Sequence, residues 1–335
     1  IFIIICLLML LRRVFTKKIV QRQFSSSAAS RESIGFIGLG NMGASMAENL
    51  LKRGHSVMVN DINPASVKKL EAAGASSAKT PSDVAANDTD IIITMLPSSP
   101  HVKQVYTGEN GVLQSVKKGA LLIDASTISP SVSRELAVAA SEKGAMLIDA
   151  PVSGGVVGAA EGTLTFMVGG DEKTFARAKP ILECMGKNVV SCGGPGNGQV
   201  VKLCNNLVLA ISMIGVSEAM NLGVKLGMEA NTLAGIFNTS TARCWSSDSY
   251  NPVPGVQAGV PSSRGYQGGF GSALMTKDLG LALGAAHDIR VPLPLGGTAL
   301  QLYTLLSSQG YAEKDFSSIY EFLAKQQNEN NKKQQ

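Results

Sequence analysis

The sequence predicts an α/β fold: a doubly wound parallel sheet, then an all-α domain, joined by one long helix. Three observations predict it. Short apolar strands alternate with helical segments through the first half of the chain. Gly and Pro punctuate the junctions, and 36 glycines with only 5% aromatics suit tight βα turns better than a β-sandwich. From Gln199 onward only helical periodicity continues. At 335 residues there is room for two domains and ample core. The expected division is a leader at 1–30, a sheet domain at 31–193, an all-α domain at 194–325 and a frayed polar tail at 326–335.

The first 30 residues hold Arg12, Arg13, Lys17, Lys18 and Arg22 and no acid, which accounts for the whole net charge of +5. The neutral remainder gives no electrostatic reason to invoke nucleic acid. Ile1 to Leu11 is apolar but too short to span a bilayer. From Met9 the segment is basic, serine-rich and free of acids, the composition of a mitochondrial transit peptide. This predicts the mitochondrial matrix, with residues 1–8 upstream of the translated start. A membrane anchor made of 1–11 and the basic stop is the competing reading. Cys6, Cys184, Cys192, Cys204 and Cys244 form no C-x-x-C pair and the histidines are scattered, so neither a metal site nor a disulfide framework is expected.

Ser33 to Leu39 reads as a strand, followed by Gly38, Gly40 and Gly43 in G-x-G-x-x-G spacing. A helix is predicted from Met42 to Leu51 and a strand from Ser56 to Asn60, with Asp61 standing 21 residues after Gly40. Strand, glycine turn, helix, strand and acid in this order make a Rossmann-type dinucleotide site. Gly38, Gly40, Asn41, Met42 and Gly43 are expected to take the pyrophosphate at the helix amino terminus. Asp61 is expected to accept from the ribose hydroxyls. A carboxylate there repels a 2′-phosphate and Ile62, not arginine, follows, so NAD is expected over NADP. The bland alternative is a glycine turn that serves only packing.

The alternation goes on: helices at Pro64 to Ala73 and Pro81 to Ala86, strands at Ile91 to Met95 and Leu121 to Asp124, a helix at Pro130 to Lys143, and a strand at Met146 to Asp149. Ligands of open parallel sheets sit at the carboxyl ends of strands. Leu96, Pro97 and Thr127 occupy such ends and are expected beside the cofactor. Ser153, Gly154 and Gly155 expose consecutive backbone N–H groups that suit a carboxylate, or form a plain βα turn. Thr163 to Gly170 reads as one more strand.

The long helix is predicted from Gln199 to Gly227. Near its start, Lys202 and Asn206 are four residues apart and share a face. Their neighbours Val200, Val201, Leu203, Leu207 and Val208 are apolar, which predicts burial nearly all round. A buried lysine has a lowered pKa and suits proton transfer; a snorkelling lysine is the alternative. Further helices are predicted at Thr232 to Asn238, Ser272 to His287, Gly296 to Gln309 and Asp315 to Lys325, with a long loop from Asn251 to Gly271.

Four blocks carry a family resemblance: G-F-I-G-L-G-N-M-G at Gly35, D-A-P-V-S-G-G at Asp149, G-Q-V-V-K-L-C-N-N at Gly198, and F-G-S-A-L-M-T-K-D-L-G at Phe270. From about Ile34 to Leu323 the chain resembles the β-hydroxyacid dehydrogenases, and C-W-S-S-D-S-Y-N-P-V-P-G at Cys244 resembles their 3-hydroxyisobutyrate branch. The resemblance implies reversible NAD-dependent oxidation of (S)-3-hydroxyisobutyrate to methylmalonate semialdehyde, a step of valine catabolism. It implies Lys202 as the catalytic residue, Asn206 on the substrate hydroxyl, and Ser153, Gly154 and Gly155 on its carboxylate. It implies Leu96, Pro97, Thr127 and Lys277 as cofactor contacts, with His101 where relatives carry Asn. It also implies a homodimer or homotetramer, with no nucleic-acid or membrane partner. Trp245 and Phe270 are candidates for the wall around the substrate methyl, or plain core aromatics. The rival within the family is an NADPH-dependent glyoxylate or succinic semialdehyde reductase, which usually carries Asn-Arg at the place of Asp61-Ile62. A rival of another class, a binding protein that kept the fold without catalysis, lacks the lysine that stands here as Lys202.

Overall fold

The central strands are buried on both faces, which is why they read as unbroken apolar runs and not as alternations. The computed structural model describes residues 33–87 and 89–325. The leader at 1–30 and the tail at 326–335 lie outside the described residues. In chain order the first part is β1 (Ser33–Ile37), α1 (Gly43–Lys52), β2 (Ser56–Asn60), α2 (Pro64–Ala72), β3 (Ser76–Ser77), α3 (Pro81–Ala86), β4 (Ile91–Thr94), α4 (Ser99–Thr107), β5 (Leu121–Asp124), α5 (Pro130–Glu142) and β6 (Met146–Asp149). The six strands form one parallel sheet in the order β3-β2-β1-β4-β5-β6. The order reverses between β1 and β4, so a crevice opens where their carboxyl ends part.

Each face of this sheet carries its own core. Ile34, Phe36, Ile93 and Ile123 pack with Met46 and Leu50 of α1 on one side. Ile37, Ile92 and Leu122 pack with Val84, Val102, Tyr106 and Leu136 on the other. Helix α4 falls in a stretch where the sequence predicts no element: Pro100 sits in its first turn, and Val102 and Tyr106 are its buried face.

A second, three-stranded sheet follows, made of β7 (Val152–Ser153), β8 (Leu164–Val168) and β9 (Gly186–Ser191), with α6 (Gly155–Glu161) and α7 (Glu172–Leu182) between them. A bridge between Asp149 and Gly169 links it to β6. Only β8 is legible in the sequence. β9 is an edge strand with most side chains outside, so it carries no apolar pattern.

The remainder is helical: α8 (Asn197–Lys225), α9 (Ala230–Thr239), α10 (Trp245–Asp248), α11 (Ser272–Asp288), α12 (Pro294–Leu306) and a last helix over 319–325. Met213, Met275, Leu279, Tyr303 and Phe316 form its core. The loop before α11 is tied down by buried Asp315, which accepts from Phe270 N at 2.8 Å and from the Tyr250 hydroxyl at 2.9 Å.

The start of α8 is set by a borrowed cap. Asp149, at the end of β6, accepts from Gly196 N at 2.7 Å and from Gln199 N at 2.9 Å. A carboxylate at a helix amino terminus satisfies orphan donors and meets the positive end of the helix dipole. A side chain at Gly198 would collide with the Met167 carbonyl, so only glycine lets the first turn come this close. The expectation that α8 is buried nearly all round is corrected: Val201 is 42% and Val208 66% exposed. Neighbouring helices and strand ends cover one side of α8 only, the side that carries Gln199, Lys202 and Asn206. By length and composition α8 could cross a bilayer; here Gln199, Lys202, Asn206, Ser217 and Asn221 face inward against protein, and Asn205, Glu218 and Lys225 are exposed.

Two glycine substitutions test the packing of the first turn. Gly43→Ala puts a Cβ into the Gly38 carbonyl oxygen, whereas Gly40→Ala meets nothing within 4 Å. Thermal unfolding is expected to show Gly43→Ala destabilised by at least about 1–3 kcal/mol, as for overpacking generally, with Gly40→Ala near the parent.

Candidate active site

Gly38 turns the chain at the crevice with φ 96°, and its N–H donates to the Asn60 carbonyl at 3.0 Å. Gly40 and Asn41 beyond it are exposed. Helix α1 begins at Gly43, and the residue before it, Met42, supplies no side-chain cap; its first turn holds no acid. Asp61 faces the same turn from β2: its carboxylate accepts from Leu39 N at 2.5 Å and from Asn63 N at 2.7 Å. An open helix amino terminus, a glycine with free space over it and an acid at the adjoining strand end fit a dinucleotide. Gly38, Gly40, Asn41, Met42, Gly43 and Asp61 lie around one turn in the structure.

The ends of β4 and β5 are locked to each other. Leu96 N donates to Ser126 Oγ at 2.8 Å, and Ser126 Oγ donates to Asp124 Oδ1 at 2.6 Å. Thr94 Oγ1 donates to the same carboxylate oxygen at 2.8 Å and lies 3.1 Å from the Tyr106 hydroxyl. Burial pushes the Asp124 carboxyl up to about 6, the Ser126 and Thr94 donors pull it back, and the charge of Asp149 raises it further. Pro97 follows Leu96 and is exposed. His101, on the first turns of α4, is exposed too, with Nδ1 2.7 Å from Ser98 Oγ.

On the other side of the crevice Lys202 is only 7% exposed and Asn206, one turn on, 2%. The Lys202 ammonium makes no hydrogen bond or ion pair among the described residues. Burial pushes its pKa down; nearby Asp278 opposes this and nearby Lys277 adds to it. Asn206 Nδ2 donates to Asp278 Oδ2 at 2.6 Å, and Asn206 Oδ1 accepts from Asn205 Nδ2 at 3.0 Å. Lys277 Nζ stands 3.1 Å from Asp278 Oδ1 and donates to the Thr127 carbonyl at 2.8 Å. Lys202, Asn206, Lys277 and Thr127 thus share one cluster, and Asp278 is its hub. The sequence reading missed Asp278. The available signal was the one used for Lys202, an ionisable residue on an otherwise apolar helix face.

Ser153, Gly154 and Gly155 lie where β7 passes into α6, with φ 131° at Gly154 and 63° at Gly155. No hydrogen bond joins them to the Lys202 cluster among the described residues. Trp245 is half-exposed and stacks on Tyr250 with centroids 4.5 Å apart. Phe270 packs edge-on to Phe316 at 6.1 Å, as a core aromatic would.

Two family models cover the described chain. The NAD binding domain of 6-phosphogluconate dehydrogenase matches residues 33–194. The NAD-binding domain of NADP-dependent 3-hydroxyisobutyrate dehydrogenase matches residues 196–323. Mitochondrial 3-hydroxyisobutyrate dehydrogenase of Mus musculus is 55% identical over 303 residues, 90% of this chain and 90% of that one. The Drosophila melanogaster protein of the same name is 51% identical over 301 residues, 90% and 92% of the two chains. The chain belongs to the 3-hydroxyisobutyrate dehydrogenase family. A solved 3-hydroxyisobutyrate dehydrogenase of Mycobacterium tuberculosis with L-serine superposes with a TM-score of 0.83 at 41% identity, over 87% of this chain and 99% of that one. As a member of the 3-hydroxyisobutyrate dehydrogenase family, the chain is an NAD-binding oxidoreductase of a small molecule, and it is mitochondrial like the relatives so named.

The Asp124 carboxyl has a testable cost. Its folded pKa of about 6 lies above the ordinary 3.8, so the folded state binds the extra proton between those values. Stability from this group is therefore complete below the lower value and is lost as pH rises through the upper one, by about 3 kcal/mol. Asp124→Asn keeps an acceptor for Ser126 and Thr94 and does not ionise. Its unfolding temperature relative to the parent is expected to climb between pH 4 and pH 6.5, roughly the titration window, and then level off.

Proposed function

We propose that this chain oxidises (S)-3-hydroxyisobutyrate reversibly to methylmalonate semialdehyde, in valine catabolism, with NAD preferred over NADP and Lys202 as general acid/base. The observation that carries the reading is Lys202 itself: a lysine buried beside the Asn206–Asp278 pair and the Thr127 turn, with its ammonium disfavoured by burial. The relative solved with L-serine, itself a 3-hydroxy carboxylate, supports the substrate class.

Bound NAD⁺ supplies the hydride acceptor. Gly38, Gly40, Asn41, Met42 and Gly43 would hold its pyrophosphate, and Asp61 its ribose hydroxyls. Leu96, Pro97, His101, Thr127 and Lys277 would line the remainder. One family model is described as NADP-dependent. Asp61 opposes that in this chain, because its carboxylate would repel a 2′-phosphate and Ile62 offers no cation to accept one.

Backbone N–H groups of Ser153, Gly154 and Gly155 hold the substrate carboxylate. Asn206, oriented by Asp278, holds the substrate hydroxyl. Neutral Lys202 takes the hydroxyl proton as hydride leaves the carbinol carbon. In the reverse direction the Lys202 ammonium polarises the carbonyl and returns the proton. A positioned acid/base of this kind is typically worth ~10²–10⁴ in rate. Residues 31–193 would serve as the cofactor domain and 194–325 as the substrate domain. A homodimer or homotetramer is proposed as well, its contacts drawn from the exposed Val208 and Leu222 of α8.

Lys202→Ala is expected to lower turnover by at least ~10²-fold while NADH titration by fluorescence still shows binding. Parental turnover would end the acid/base role. For the parent enzyme, kcat/KM of oxidation is expected to rise with pH through a limb below the ordinary lysine range, and reduction to fall across it. Asp61→Ala is expected to erode the ratio of NAD to NADP specificity constants; an unchanged ratio would remove Asp61 from cofactor choice.

A further inference from the structure

We propose that Gln199 is a positioning residue that holds Lys202 in register with the carboxyl ends of β4 and β5. The proposal rests on Lys202 being the acid/base. Gln199 is fully buried in the first turn of α8, three residues before Lys202 and on the same side of the helix. Both ends of its amide are used on the turn that follows β5. Oε1 accepts from Ile128 N at 3.0 Å, and Nε2 donates to the Ser126 carbonyl at 2.8 Å. The Thr127 carbonyl between them accepts from Lys277 Nζ at 2.8 Å. Three consecutive residues of the turn after β5 are thus held from the helical half, Ser126 and Ile128 by Gln199 and Thr127 by Lys277. The same turn holds the end of β4, because Leu96 N–H donates to Ser126 Oγ at 2.8 Å. The first turn of α8, the β5 turn and the end of β4 therefore move as one hydrogen-bonded unit.

The chemistry of the position is specific. It needs an acceptor and a donor at once, both uncharged, because the fully buried carboxylate of Asp149 already accepts from Gln199 N at 2.9 Å. A second carboxylate beside it would be repelled. Because an error of about 1 Å in a reacting group can cost about 10² in rate, a residue that sets the gap between base and cofactor acts on catalysis without touching substrate.

The test uses the full-length enzyme with Gln199→Met, which keeps the shape and loses both hydrogen bonds, and Gln199→Glu, which keeps only the acceptor. Single-turnover hydride transfer is expected to fall about 10–100-fold in Gln199→Met with NADH affinity within about threefold of the parent. The acid limb of kcat/KM is expected to move up toward the ordinary lysine range, because a loosened turn admits water to Lys202. Gln199→Glu is expected to lie between, its deficit shrinking as the pH falls and its carboxyl becomes a donor. Hydride transfer per folded molecule within about twofold of the parent, with the limb unmoved, would overturn the proposal. So would a loss of NADH affinity as large as the loss in rate, which would put Gln199 in the cofactor pocket. If Gln199→Met does not fold, Gln199→Glu decides by the same criteria. Lys202→Met tells the two failures apart. Retained turnover there removes the acid/base reading and this proposal with it; lost turnover beside a silent Gln199 series removes this proposal alone.

Discussion

The carboxylate of Asp149 carries the join between sheet and helices. It closes β6 and caps α8 through Gly196 N and Gln199 N. Gln199, Lys202 and Asn206 inherit their places from that one contact, because a helix fixes every later side chain once its first turn is fixed. Burial pushes the Asp149 carboxyl up, and the two backbone donors counter it. The acid is tolerable there because a helix amino terminus presents several free N–H groups together. Gly198 completes the arrangement by leaving no Cβ between α8 and the strand beside it.

Buried charge is otherwise scarce, and much of it lies along this seam. Asp124, Asp149, Lys202 and Asp278 are all nearly inaccessible. Each costs stability, since an ionised group loses its hydration there. Away from the seam the cores are aliphatic and aromatic, as in any α/β protein. Functional sites are where local rules of burial are broken, and the breaks here converge on the carboxyl ends of β4, β5 and β6.

What was legible in the sequence was what short spacing encodes. The glycine turn with Asp61 is written within one βαβ unit, and Lys202 with Asn206 within one helical turn. The parallel strands could be read because burial on both faces leaves long apolar runs. Gln199 and Asp278 draw their roles from Ser126 and Asn206, more than seventy residues away, so the sequence shows at most a polar residue on an apolar helix. Asp124 draws its role from Thr94 on the neighbouring strand, 30 residues away. β9 escaped because an edge strand needs no apolar face, and α4 because Ser-Ser-Pro-His looks like a loop until Val102 and Tyr106 are seen to be buried. The exposed valines of α8 show the limit of composition, which reports that a residue is apolar and not which side of a helix is covered.

Helix α8 runs for 29 residues, about 44 Å at ~1.5 Å per residue. Its root is clamped at Asp149, and Lys202 stands within the first two turns. Its far turns are seated as well, with Val216 and Met220 packed on Ala234 and Val253, while Leu222 faces out. A change at Leu222 therefore lies about 30 Å along the axis from the amine, at ~1.5 Å per residue, with a packed helix between them.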